Sequence, residues 1–459
     1  MSSSQNRSIP VGYGRQRLRA DRLLASEARE LLRIAGPIIL SQLGGVGMLT
    51  VDTIMVGPLG SDALAASGLA NSLHMAVVMI STGTLLGMGP LVSHAFGAGD
   101  RQECRHVLVQ GLWLALALTV PLMAVNFLGT PLSIALNQPP ELAATAGRYM
   151  TALSWGILPL LLFNALRNFL EGMGIAKPAM VITFLGLGVN LLGNRVLIYG
   201  IDGWIPAFGV VGSGMATTLV RWAMLAAMAA YLLRHRELHP FRGVGFRPER
   251  EMFRRIVTIG IPSGAQMGLE VGLFSFAAVM MGWFGAAELA SHQVTINIAS
   301  TTFMVALGVS LAGSIRVGHN LGAGNPIGAQ RTVLLTFALS MGFMALCAIT
   351  FLLIPEALLR LYTDDAAVLR LGPKLLFMAA LFQLFDGAQV AGFSVLRGAG
   401  DTRVPMILAA LAYWVVGAPL SYFLGFHSSL GPQGVWAGLC VSLAVASLLL
   451  IGRIRKVLY

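Results

Sequence analysis

Apolar residues run through this chain in long stretches separated by short polar segments. A helix crossing the ~30 Å hydrocarbon core needs about 20 apolar residues. Twelve stretches qualify: residues 32–57, 63–90, 106–128, 142–166, 178–200, 208–233, 256–283, 287–314, 331–354, 367–396, 404–426 and 432–452. The runs are too continuous and too long for the alternating strands of about ten residues that build a membrane β-barrel. Several contain Gly or Pro, which bilayer helices tolerate when neighbours satisfy the freed backbone groups. The pattern predicts an all-α integral membrane protein with twelve transmembrane helices.

Composition agrees. Of 459 residues, 56% are hydrophobic and 11% charged, against about 25% charged in soluble proteins. The net charge of +11 would suggest nucleic acid in a soluble chain. Here the basic residues lie between spans, so no nucleic-acid partner is expected. With the N-terminus inside, twenty-five Lys and Arg residues fall in cytoplasmic segments and four outside (Arg148, Arg360, Arg370, Lys374), while Arg195 and Arg221 lie within spans. That asymmetry predicts both termini in the cytoplasm. No short apolar run with a cleavage site opens the chain, so no cleaved signal peptide is expected. Cys104, Cys347 and Cys440 are far apart and form no CxxC, which argues against a disulfide framework or a structural zinc.

The chain repeats itself at an offset of 225. VSHAFGAGD (92–100) aligns with VGHNLGAGN (317–325), Pro37 with Pro262 and Gly60 with Gly285; EGMG (171–174) meets RGAG (397–400) one residue further on. Each half holds six spans, an even number, so the halves share one orientation. They are expected to form two pseudo-symmetric six-helix lobes about an axis along the membrane normal, with the substrate path between them. The expected organisation is a cytoplasmic tail (1–30), an N-lobe (31–233), a basic cytoplasmic connector (234–255) and a C-lobe (256–459). The GAG segments fit tight turns needing positive φ or close backbone approach. The chain contains no GxGxxG, GxxxxGK or HExxH, so nucleotide-driven transport and the commonest membrane zinc-protease chemistry are not expected.

Ionisable groups inside spans are costly and therefore informative. Glu270 sits among Gly264, Gly268 and Gly272, and points about 200° away from Gly268, on a face with Gln266 and Phe274. Asp386 is flanked by Gln383 and Gln389. Counting ~1.5 Å per residue from Arg255 and Arg397 puts Glu270 and Asp386 at depths differing by about 6 Å. Two carboxylates so placed can share one cation or one proton; the bland alternatives are a structural hydrogen bond and a backbone cap. Asp52 falls near the depth of Asn194, and Asn190 lies one turn from Asn194 on the same face. These three form a candidate cation or proton cluster, unless Arg195 pairs with Asp52 or Asp52 is merely interfacial. Asp364 and Asp365 precede span 10, either as helix caps or as an acidic mouth. Met and Phe number 22 each; most are packing, but such walls also suit bulky lipophilic cations.

Together, VDTIMVG in span 1, GLEVGLFSF in span 7, LFQLFDGAQ with LRGAGDTRVP in span 10 and the paired GAG loops resemble the multidrug and toxic compound extrusion (MATE) family, its NorM-like bacterial branch above all. The likeness runs from about residue 30 to 452. It implies an antiporter that expels cationic lipophilic drugs or dyes in exchange for Na+ or H+, without a cofactor. It implies Glu270 and Asp386 as the C-lobe cation site, with Na+ favoured because carboxylates with amide oxygens suit a hard cation. Asp52, Asn190 and Asn194 would be the N-lobe counterpart. Gln293 and Asp365 match drug-contacting positions, and Asp364, Phe274 and Phe382 join them as substrate-site candidates. Phe382 stands where some members carry Tyr, and Arg195 where a neutral residue is expected. A monomer among membrane lipids, in a bacterial inner membrane, is implied. The rivals are a lipid-precursor flippase, which needs a basic cleft; a membrane enzyme, which needs more than the isolated His74 and His292; and a channel, which needs no such repeat.

Overall fold

A computed structural model describes residues 11–235, 238 and 245–459, with residues 11–22 described by backbone alone. Residues 1–10 of the expected tail, and 236–237 and 239–244 of the expected connector, lie outside the described residues.

The apolar runs fold as helices: α1 (Val11–Val56), α2 (Ser61–Gly97), α3 (Arg101–Phe127), α4 in two segments (Pro140–Ser154 and Ile157–Gly172), α5 (Lys177–Tyr199), α6 (Val210–Arg234), α7 (Arg250–Phe284), α8 (Ala286–Gly322), α9 (Pro326–Leu353), α10 (Ala366–Gly398), α11 (Arg403–Phe426) and α12 (Pro432–Leu458). The two segments of α4 meet at a 46° bend. Among the described residues eleven helices are long and apolar enough to cross a membrane, and twelve when bent α4 counts as one span. The protein is a multi-pass, all-α membrane protein.

Two ends differ from the sequence reading. Helix α1 begins at Val11, inside the expected tail, because residues 15–33 are rich in Arg, Leu, Ala and Glu, which are good helix formers. Helix α8 continues to Gly322, past the expected 314, so the second GAG turn directly ends a helix. Gly99 and Gly324 hold positive φ of 78° and 68° there, which a side chain would resist.

Packing follows the repeat. One buried apolar cluster draws only on residues 273–458 and another on residues 85–256. A smaller one joins Leu31, Ile34 and Ile38 of α1 to Val309 and Ala312 of α8. The halves meet along two related crossings. A methyl on Gly83 of α2 would collide with Gly264 of α7, and one on Gly308 of α8 with Ile39 of α1. Gly83 and Ile39 lie 225 residues before Gly308 and Gly264, so one crossing is the image of the other. Gly264, Gly268 and Gly272, spaced for one packing seam, do not form one. Gly264 touches α2, Gly272 lies 3.0 Å (from an added Cβ) from Trp414 of α11, and Gly268 meets nothing within 4 Å. An ion pair also ties the halves together: Arg316 of α8 donates to both carboxylate oxygens of Glu27 at 2.9 and 2.6 Å.

Candidate functional site

A cavity of about 390 Å³ lies between the halves. Six helices line it, in three matched pairs: α1, α2 and α4 from one half, α7, α8 and α10 from the other. Its apolar wall includes Met267, Phe274, Phe303, Met304, Phe382 and Phe393. Phe274 and Phe382 meet edge to face with centroids 5.8 Å apart, and Phe382 leans on Trp436 at the same separation. Edge-to-face rings lock one another in place, so this wall is preformed.

Glu270 and Asp386 stand on the polar part of the same cavity. The helical period puts Gln266, Glu270 and Phe274 on one face of α7, and all three line the cavity. Gln266 Nε2 donates to Glu270 Oε2 at 3.0 Å. From α10, Gln389 Nε2 donates to Glu270 Oε1 at 2.7 Å and to Asp386 Oδ1 at 3.3 Å. One carboxamide therefore bridges the two carboxylates. Its oxygen accepts from the Tyr413 hydroxyl. Tyr413 is fully buried and sits in a widened π-helical turn of α11, Leu411–Gly417; such turns recur at functional sites. Asp386 is 3% exposed, and among the described residues its second oxygen has no hydrogen bond. Neither carboxylate forms an ion pair among the described residues. Gln383, expected on the same polar stripe, instead donates to Thr302 of α8 at 2.5 Å.

The N-half cluster also assembles, but away from the cavity. Asp52 Oδ1 accepts from Asn190 at 2.9 Å and Asn194 at 2.6 Å, and Oδ2 accepts from Thr217 of α6 at 3.1 Å. All three donors are neutral, and none of the four residues lines the cavity. Arg195 does not pair with Asp52. It is exposed, with its guanidinium 5.2 Å from the Tyr199 ring centroid. Arg221 of α6, the other arginine within a span, pairs with a histidine instead. Both terminal nitrogens of Arg221 donate to His74 Nε2 at 3.3 Å, and His74 Nδ1 lies 3.2 Å from Asn126 Oδ1. Arginine only donates, so neutral His74 must carry its proton on Nδ1 and donate a hydrogen bond to Asn126 Oδ1. His74 is thus one link of a buried chain rather than an isolated packing contact. His292 is a packing contact: among the described residues its Nδ1 has no hydrogen-bond partner, and its ring meets Trp436 at 5.6 Å.

Three substrate-site candidates stand outside the cavity lining: Gln293, Asp364 and Asp365 are all exposed. Asp365 Oδ1 accepts the Ala367 amide at 2.7 Å, so its carboxylate is taken up as the N-cap of α10, the alternative reading of that pair. Sequence reasoning missed Arg167, Glu171 and Arg397, having counted both arginines as loop charges. All three line the cavity. Arg167 donates to Glu171 at 2.6 Å and to Gln42 at 2.9 Å. Arg397, 7% exposed, has no ion pair among the described residues. Two signals could have found them: the i,i+4 spacing of Arg167 and Glu171, and the repeat, which aligns Glu171 with Arg397.

Known proteins share this architecture. The MatE family model matches the chain twice, over residues 37–196 and 262–423. A probable multidrug resistance protein NorM of Bradyrhizobium diazoefficiens is 36% identical over 438 residues, 94% of each chain. Its namesake in Mesorhizobium japonicum is 37% identical over 442 residues, again 94% of each. Among solved structures, the outward-facing conformation of a multidrug resistance MATE family transporter superposes with a TM-score of 0.85 at 23% identity, covering 95% of this chain and 97% of that one. The eukaryotic MATE transporter AtDTX14 gives 0.83 at 20%, covering 94% and 96%; both likenesses establish a common fold. With one family model matched by each half, and relatives aligned along nearly its whole length, the chain belongs to the MatE family.

Proposed function

We propose that this chain is a multidrug efflux antiporter of the bacterial inner membrane. It exports bulky lipophilic cations in exchange for H+ or Na+, as residues 31–233 and 256–459 rock about the central cavity. The observation that carries this reading is the meeting of Glu270 and Asp386 on Gln389, beside an aromatic wall and without an ion pair among the described residues. The relatives named as multidrug resistance proteins support it. The distribution of Lys and Arg supports a cytoplasmic side for the GAG turns and both termini. A monomer suffices, since one chain supplies every wall of the cavity.

Exchange follows from competition. A buried pair of carboxylates needs a compensating positive charge, which a drug cation or a coupling ion supplies in turn. Only a ligand that binds the two conformations differently can drive the cycle. The coupling ion we favour is H+. Na+ takes oxygen ligands, yet Gln266 and Gln389 turn N–H groups toward the carboxylates and the Gln389 oxygen is taken by Tyr413. Na+ would require Gln389 to turn over so that its oxygen faces the carboxylates. Asp52 with Asn190, Asn194 and Thr217 is proposed as a second proton site. A flippase would need a basic cavity, but here Glu171 neutralises Arg167, and Glu270 and Asp386 outnumber Arg397 along the lining.

Dye uptake into everted vesicles under separately imposed H+ and Na+ gradients tests the proposal. The parent should accumulate dye under the H+ gradient, and Glu270→Gln and Asp386→Asn should not. Full coupled uptake in both variants would overturn the assignment. Uptake driven by Na+ alone would reassign the ion, and flux indifferent to gradient direction would indicate a channel.

A further inference from the structure

The last carbonyls of a helix lack partners within it. Two such carbonyls here, Gly172 at the end of α4 and Gly398 at the end of α10, are satisfied from the opposite half. His94 Nε2 of α2 lies 2.8 Å from the Gly398 oxygen, and His319 Nε2 of α8 lies 2.7 Å from the Gly172 oxygen. A carbonyl only accepts, so each imidazole donates from Nε2. His94 and His319 are 225 residues apart and Gly172 and Gly398 are 226 apart; the two bonds are images of each other in the repeat. The backbone around them is in direct contact. A methyl on Gly97 would strike the His319 carbonyl, and one on Gly322 the His94 carbonyl. One on Gly318 would strike Ser93, its own repeat partner, so the pseudo-twofold axis passes between them. Glu171 and Arg397, the charged groups of the cavity floor, immediately precede the two held carbonyls.

We propose that His94 and His319 are positioning residues forming a reciprocal latch. It closes the GAG side of the protein and fixes Glu171 and Arg397 at the cavity floor, and both bonds must break for the cavity to open on that side. The latch rests on the transport reading above for its purpose, but its test does not. A buried-to-exposed exchange of one hydrogen bond biases an equilibrium by about 2- to 10-fold. Losing both should raise the ratio of GAG-side-open to closed molecules by the product, about 4- to 100-fold.

Spin labels at Lys177 and Arg403 report the opening. These exposed residues lie 226 apart in the repeat, at the starts of α5 and α11. Distances are measured in lipid nanodiscs, in a background with Cys104, Cys347 and Cys440 replaced by alanine. His94→Ala and His319→Ala should each shift the distribution to longer distances by similar amounts, and the double variant furthest. His94→Gln and His319→Gln keep an N–H donor and should restore the short distance. A single symmetric elution peak and a cooperative thermal melt identify folded protein. A folded double alanine variant that keeps the parent distribution would overturn the latch, as would glutamine variants that open as far as alanine ones. A parent without coupled dye uptake would overturn the transport reading alone, because distances need no transport.

Discussion

Each half buries acidic side chains, and the two halves treat them in opposite ways. In the first half one carboxylate, Asp52, receives three neutral hydrogen bonds and is sealed off from the cavity. In the second half two carboxylates divide the donors of Gln266 and Gln389, and Asp386 receives one bond, at 3.3 Å. The same fold, used twice, thus makes one nearly saturated acid and one unsaturated pair. A carboxylate has about four lone-pair sites, so the unsaturated pair faces the cavity with acceptors to spare. The comparison teaches that depth in the membrane does not make an acid a cargo site; a deficit of donors facing open space does.

The comparison can be broken most decisively by dye affinity. Asp386→Asn should weaken dye binding to purified protein at least about tenfold, the loss of one desolvated charge contact being worth more than ~1.4 kcal/mol. Asp52→Asn should leave affinity within about twofold, because a sealed residue offers the ligand no contact. Equal losses measured by fluorescence titration would erase the distinction between the sites.

Stability sharpens it next. Gln389→Leu removes the donor shared by Glu270 and Asp386, and should lower stability in detergent by about 2–3 kcal/mol, more than a typical single donor, because both acids lose a partner. Asn194→Ala should lower stability by about 1–2 kcal/mol. Combining Asn194→Ala with Asp52→Asn should recover part of that loss, since the neutral amide no longer demands the full set of donors. Thermal melts of the four proteins in this cycle, parent included, check the sign: additive losses would mean that Asn194 does not act through Asp52. The smallest effect belongs to Arg195→Gln, which removes an exposed cation–π contact worth about 0.5–1 kcal/mol. A melting shift as large as that of Asn194→Ala would mean that Arg195 supports the acid after all.

Much of this was legible in the residues. The twelve spans followed from hydropathy, the shared face of Gln266, Glu270 and Phe274 from the helical period, and the approach of Glu270 to Asp386 from counting depth. What escaped was set by neighbours rather than by local pattern. Arg167 and Arg397 read as loop charges because helices α4 and α10 carry them further than hydropathy alone predicts. Tyr413 gave no signal, since nothing in LAYWVVG announces a π-helical turn aimed at Gln389. Amide orientation at Asn190, Asn194 and Gln389 depends on which partner claims each end. The exposure of Gln293 depends on which side of α8 meets the cavity, which the spacing of apolar residues along that nearly all-round apolar helix does not fix.

The crossing of α2 over α7 at Gly83 and Gly264 has a consequence for motion. Side chains that mesh like gear teeth must climb over one another when two bodies turn, and each regains rotamer freedom or loses contact along the way. Bare backbone against bare backbone has no teeth. At this crossing the halves touch on a smooth bearing surface, so turning one against the other meets little friction there, and the resistance is left to the α1 and α8 side chains of the related crossing and the polar bonds at the rim.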